Sequence, residues 1–270
     1  MMQTYQNTIP MKEMKMDESL KKMLDYLRLQ QLAKHWDTWL AQAQKEKYSH
    51  VKLLKYIIEQ EYNNKLENAK AMRIARAKIP EKFVIETYPF GRQPHFDKNK
   101  IFNIYDSFDY MEKKRDIIWI GTTGVGKTGL ATSFLIQAIN KGYNGRFITF
   151  PDLVETLYRS VADHSEAVVL KTFASYDCLL IDELGYIEVE PLQVGLFFAL
   201  MSKRHKHKTT IITSNLGFKQ WDSFLKNDHL TAALIDRLTE NSYVINMRKC
   251  TSLRTKFDHT GEGATDNDPQ

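Results

Sequence analysis

Ile117-Ile118-Trp119-Ile120-Gly121-Thr122-Thr123-Gly124-Val125-Gly126-Lys127-Thr128 is the stretch that decides the fold of this chain. Four apolar residues run into the pattern G-x-x-x-x-G-K-[ST], and the helix-like run Gly129 to Lys141 follows. A strand, a glycine turn and a helix start are the context a phosphate-binding loop requires. Glycines let successive backbone N–H groups point inward around an anion. The helix behind them turns the positive end of its dipole toward the same charge. In such a loop Lys127 reaches the β- and γ-phosphates of a nucleoside triphosphate, and Thr128 sets its hydroxyl on Mg²⁺.

Downstream, short apolar runs alternate with helical ones. Candidate strands lie at 117–120, 145–150, 178–182, 209–213 and 242–246. That alternation predicts an α/β fold with a parallel five-stranded sheet covered on both faces, with its ligand beyond the C-terminal strand ends. The run Cys178-Leu179-Leu180-Ile181 would carry Asp182 and Glu183 to such an end. Asp182 suits a Mg²⁺ contact, and Glu183 suits orientation or deprotonation of an attacking water. Asn215, just past the run Thr209 to Thr213, could orient that water and the terminal phosphate; as a bare turn residue it would do neither.

Two cationic positions remain around this core. Arg237, in ALIDRL, could complete the charge on a neighbouring subunit's nucleotide, or pair with an acid such as Glu240 in its own helix. Lys203 to Lys208 is a dense basic run, read as a helix end in preference to a DNA contact.

Ahead of the sheet, residues 1–16 read as a loose tail. Asp17 is a helix cap for Leu20, Met23, Leu24 and Leu27, and Leu32, Trp36, Trp39 and Leu40 form a second stripe. Ser49 caps a third helix carrying Val51, Leu54, Ile57, Ile58, Tyr62 and Leu66, which could run to Ile79 before Pro80. A small helical domain over 17–80 follows, its apolar stripes expected to form the core. Its last turns carry Lys65, Lys70, Arg73, Arg76 and Lys78 with few acids. They form either a surface for DNA phosphates or a solvated helix end. Residues 81–96, with Pro89, Gly91 and Pro94, read as a linker, and Ile101 to Lys114 as one helix. The polar stretch 258–270 reads as a disordered tail.

Composition narrows the class. The chain has 270 residues, a net charge of +5, 43% hydrophobic and 26% charged residues, enough for a packed core with a mild basic excess. Cys178 and Cys250 are too few for a disulfide framework or zinc cluster. No apolar run reaches the length of a membrane span, and the start lacks a signal peptide's apolar segment, so a cytoplasmic protein is expected. A small-molecule kinase would also use the glycine loop, but two acids followed by Asn215 suit attack by water better.

The order GTTGVGKT, CLLIDELGY, TTIITSN, ALIDRL resembles AAA+ ATPases of the initiator and helicase-loader group. Over roughly residues 20–257 the chain is most similar to IstB-like helper ATPases of two-protein insertion sequences, relatives of DnaC-like loaders. The resemblance implies a three-layer P-loop domain over 97–257, without a C-terminal helical lid. It assigns ATP binding to Gly121, Thr122, Thr123, Gly124, Val125, Gly126, Lys127 and Thr128 (Walker A), with Gly129 beside them and Arg254 as a second cationic sensor. Asp182 and Glu183 fall on Walker B, Asn215 on sensor one and Arg237 on the arginine finger. Arg254 lies where the family has a Ser-Tyr-Arg segment, but Leu253 replaces the tyrosine and a glycine usual just upstream is missing. The implied function is ATP-dependent assembly on duplex target DNA, deformation of that DNA, recruitment of a partner transposase, and hydrolysis that regulates the complex. Homo-oligomers with nucleotide between subunits are expected, with Arg159 and Lys171 as further DNA contacts. The alternative is a DnaC-like replicative helicase loader.

Overall fold

The computed structural model describes residues 16–254; the expected tail at 258–270 and all but Met16 of the expected tail at 1–16 lie outside the described residues, and Met16 packs on the core of the first helices. The chain divides into two compact units between Met72 and Arg73.

The first unit is helical: α1 (Glu18–Tyr26), α2 (Gln30–Lys45) and most of α3 (His50–Arg76). Asp17 caps α1 by accepting from the Leu20 N–H at 2.6 Å, and the Ser49 hydroxyl accepts from the Lys52 N–H at 3.2 Å. No side chain at its own N-terminus caps α2. Buried Glu61 of α3 does so, accepting from the Leu32 N–H at 2.7 Å. Leu24, Leu32 and Trp39 form the core, with Trp36, Tyr56 and Ile57 packed against it. The stripe expected to fill that core is corrected here. Val51 is 78% exposed, and Leu54, Ile58, Tyr62 and Leu66 are also open, because α3 turns the Tyr56–Ile57 side inward.

The second unit is built on β1 (Asp116–Ile120), β2 (Gly145–Thr149), β3 (Cys178–Leu184), β4 (Thr209–Ser214) and β5 (Ser242–Asn246). All pairings are parallel, in the order β2-β3-β4-β1-β5. Period-two alternation sends Ile117, Trp119, Leu180 and Ile211 to one face and Ile118, Ile120, Ile181 and Ile212 to the other. On the first face pack α4 (Lys98–Ser107), α5 (Asp109–Glu112) and α6 (Lys127–Asn140). The second carries α7 (Phe150–Ala162), α8 (Glu166–Ser175), α9 (Pro191–Arg204), α10 (Trp221–Leu225) and α11 (Asp228–Glu240). Among the described residues, no helix follows β5.

Two expectations change. The helix expected over 101–114 breaks at Phe108, whose φ of 59° is left-handed and starts α5 afresh. Residues 81–96 are no spacer: Ile85, Tyr88 and Phe96 are buried in the same core as α4 and α6, with two 3-10 turns between them. The chain already joins this unit at Ala77, whose carbonyl accepts from the Phe147 N–H of β2 at 2.8 Å.

Candidate nucleotide site

β1 and β4 are neighbours, so the loop after β1 and the ends of β3 and β4 meet at one edge of the sheet. There Gly121 to Gly126 curl over the start of α6. Gly124 and Gly126 take φ of 85° and 88°, a left-handed backbone that only glycine adopts freely. A Cβ on Gly126 would stand 2.6 Å from the Tyr88 ring. Among the described residues no side chain caps the α6 N-terminus, which leaves its first N–H groups for an anion.

A cleft of about 200 Å³ opens at this point. Thr123, Gly124, Gly126, Lys127 and Thr128 line one wall, Glu183 and Thr213 a second, and Tyr186, Leu253 and Arg254 a third. Lys127 is buried, and its ammonium donates to the carbonyls of Gly121 at 2.8 Å and Thr122 at 2.9 Å. Burial lowers the Lys127 pKa, Arg254 lowers it further, and Asp182 and Glu183 oppose them. A triphosphate at the loop would oppose that lowering.

Thr128 donates its hydroxyl to both oxygens of Asp182, at 3.0 and 3.1 Å. Burial raises the Asp182 pKa, while hydrogen bonds from Thr213 and Thr128 pull it back. One hydroxyl and one carboxylate are hard oxygen donors of the kind Mg²⁺ takes beside waters and phosphate oxygens. Among the described residues no group of three or more His, Cys, Asp or Glu stands together to hold a metal by itself. The residues present therefore fit a Mg²⁺–nucleotide pair better than a bare ion.

Glu183 stands next to Asp182 with φ of 62°, where the β3–β4 register shifts between Ile181 and Leu184. A non-glycine residue in that region carries strain. Thr213 supports it: its hydroxyl accepts from the Glu183 N–H at 3.1 Å and donates to Asp182 Oδ1. Thr213 was missed in the sequence, where its only signal is a hydroxyl at the tip of an apolar strand. Also missed were Tyr88, which donates to the Val125 carbonyl at 2.8 Å, and Tyr186 on the far wall.

The other expected residues are distributed unevenly. Val125 is fully buried and Gly129 lies against Phe83; neither lines the cleft, nor does Thr122. Arg254 does line it. Asn215 sits one residue past β4, outside the cleft lining, with a buried Oδ1 that has no hydrogen-bond partner among the described residues. Arg237 stacks its guanidinium 4.4 Å from the Phe198 ring of α9, and Glu240 is taken by His205 and Lys206. Lys65, Lys70, Arg73 and Arg76 lie on α3, with Lys70 3.7 Å from Glu67, and Lys78 is exposed just beyond. Arg159, exposed on α7, pairs with Glu155, and Lys171 is exposed on α8.

A family model described as IstB-like ATP binding protein matches residues 22–260. The chain belongs to the IstB-like ATP-binding family. This IstB-like chain is 30% identical over 230 residues to a protein named for ATP binding in insertion sequence IS232 of Bacillus thuringiensis, covering 85% of this chain and 92% of that one. A protein named likewise for insertion sequence IS5376 of Geobacillus stearothermophilus is also 30% identical, over 86% of this chain and 92% of its own length. The IS21 counterpart of Pseudomonas aeruginosa is 28% identical, over 85% and 86%. Among solved structures, AMPPCP-bound DnaA from Aquifex aeolicus superposes with a TM-score of 0.50 and 17% identity, over 62% of this chain and 51% of that one. That likeness is one of fold alone. No helix among the described residues is long and apolar enough to cross a membrane.

Proposed function

We propose that this chain is a cytoplasmic ATPase that helps transposition: it oligomerises on duplex target DNA, remodels it, recruits a transposase and hydrolyses ATP to regulate the complex. The observation carrying the hydrolytic part is the joint hold on two acids. Thr128 and Thr213 fix Asp182, and Thr213 also fixes the Glu183 peptide at the rim of the phosphate-loop cleft. On this reading Gly124, Gly126 and Lys127 grip the triphosphate. Mg²⁺ at Thr128 and Asp182 would neutralise charge on the phosphate oxygens. Glu183 accepts a proton from water as it attacks the terminal phosphoryl group, and ADP and phosphate leave.

The insertion-sequence names of the relatives support a role in transposition. Arg73 and Arg76 fall about 60° apart around the last turn of α3, a pair that suits phosphate contacts. The test is Glu183→Gln with duplex DNA and ATP. It should retain ATP, release phosphate at least about 100-fold more slowly, and leave long-lived DNA complexes. Normal turnover would remove Glu183 from its role. Capture of a hexameric helicase, with single strands preferred to duplex, would replace the transposition reading with a loader.

A further inference from the structure

Gln93 lies in the segment that reads as a linker in the sequence, yet its side chain is only 1% exposed. Its amide nitrogen donates to the Thr251 carbonyl at 2.7 Å, and its amide oxygen accepts from the Thr251 N–H at 2.7 Å. The side chain thus pairs with a single backbone residue as a neighbouring strand would. From Thr251 the chain runs directly to the phosphate loop. The Leu253 N–H donates to the Gly124 carbonyl at 2.8 Å, and Arg254 reaches the cleft. The Arg254 N–H is held by the Ser252 hydroxyl at 3.3 Å. Arg254 also acts on the Lys127 ammonium, lowering its pKa. Its own side chain is exposed, so its position depends on the backbone that carries it.

We infer that Gln93 is a positioning residue that clamps the Thr251–Arg254 strap to the phosphate loop, so that Arg254 can read the terminal phosphate of a bound nucleotide. This rests on the ATP-binding site proposed above and adds to it how the site tells ATP from ADP. Among the described residues no helix after β5 supports that arginine, so the strap is held from the other end of the domain's sequence. Two hydrogen bonds to a buried amide form a strong anchor, because breaking either leaves a buried polar group unpaired.

The test compares Gln93→Leu, Gln93→Glu, Arg254→Ala and the double variant Gln93→Leu/Arg254→Ala by two readouts. The first is hydrogen exchange without nucleotide. In Gln93→Leu the Leu253 amide should exchange roughly tenfold faster, as expected when two ordinary hydrogen bonds are lost. The Thr210 amide, bonded to Asp116, should not change. The second readout is affinity for fluorescent ATP and ADP analogues. Gln93→Leu should lose the preference for ATP to the same extent as Arg254→Ala, and the double variant should lose no more. Gln93→Glu keeps the acceptor for the Thr251 N–H but not the donor, and should fall between; it replaces Gln93→Leu if that variant does not fold. Unchanged Leu253 exchange, or additive losses in the double variant, would overturn the inference. If the native chain bound neither nucleotide the ATP reading would fall, and the exchange result would still decide the clamp.

Discussion

Thr213 and Glu183 share a hydrogen bond of 3.1 Å, from the Glu183 backbone N–H to the Thr213 hydroxyl, at the point where β3 slips out of register with β4. The slip deprives the Glu183 peptide of a strand partner, and the hydroxyl takes that place. The same hydroxyl donates to Asp182, so one buried side chain sets Glu183 at the cleft and the buried Asp182 beside it. Thr213→Val keeps the volume and removes both bonds. It should leave ATP affinity within about threefold and lower the hydrolysis rate about 10- to 100-fold, the usual effect of losing a partner that orients a site group. Thr213→Ser should recover most of the rate. Steady-state kinetics beside an equilibrium nucleotide titration would check this, and equal loss in both variants would make the role one of packing.

Lys127 holds two loop carbonyls at 2.8 and 2.9 Å from a buried position. Its charge is the one cation that the loop brings to the phosphates from within. Lys127→Ala should weaken ATP binding about 10- to 100-fold, the range expected for charge-assisted hydrogen bonds. ATP-dependent assembly on DNA should be lost with it. Calorimetric titration and sedimentation with duplex would measure the two effects, and unaltered ATP-driven assembly would count against the nucleotide site itself.

Much of this site is legible in the sequence because its parts are local. The run from Ile117 to Thr128 holds strand, turn and helix start within a dozen positions, and Asp182 and Glu183 follow an apolar strand directly. What escaped depends on contacts between distant segments. Residues 81–96 look like a linker because Phe83, Ile85, Tyr88, Phe90 and Phe96 follow no helical or strand period. Only the folded chain shows them buried or packed against the core. The break at Phe108 carries no glycine or proline to announce it. The open stripe of α3 is indistinguishable in sequence from the buried one, because both are apolar at helical spacing.

Asp116, at the start of β1, predicts a pH dependence of stability. Burial pushes its carboxyl from 3.8 up to about 7, against a 2.6 Å hydrogen bond from the Thr210 N–H and the pull of Arg204. Between about pH 4 and 7 the folded chain keeps a proton that the unfolded chain has released. Its stabilising contribution is therefore complete in acid and is lost as pH rises through that window, by up to about 4 kcal/mol. Asp116→Asn keeps an oxygen for the Thr210 N–H and removes the titration. The native melting temperature should fall relative to that of Asp116→Asn between pH 5 and 8. Parallel melting curves across that range would mean that the carboxyl is already ionised in the folded state.

Arg237 does not line the cleft of its own chain. Its guanidinium lies over Phe198, and one buried nitrogen has no hydrogen-bond partner among the described residues. A cation held against an aromatic face keeps its charge and most of its hydrogen-bonding capacity for a second molecule. If a neighbouring subunit's nucleotide takes that capacity, Arg237→Ala should cut hydrolysis about 1,000-fold or more and leave ATP binding intact. Mixing Arg237→Ala with Glu183→Gln subunits should then restore part of the activity, because some interfaces combine an intact arginine with an intact Glu183. A purely intramolecular arginine gives a different result: the mixture stays inactive at every ratio, and Arg237→Ala loses about 0.5–2 kcal/mol of stability through the Phe198 contact alone.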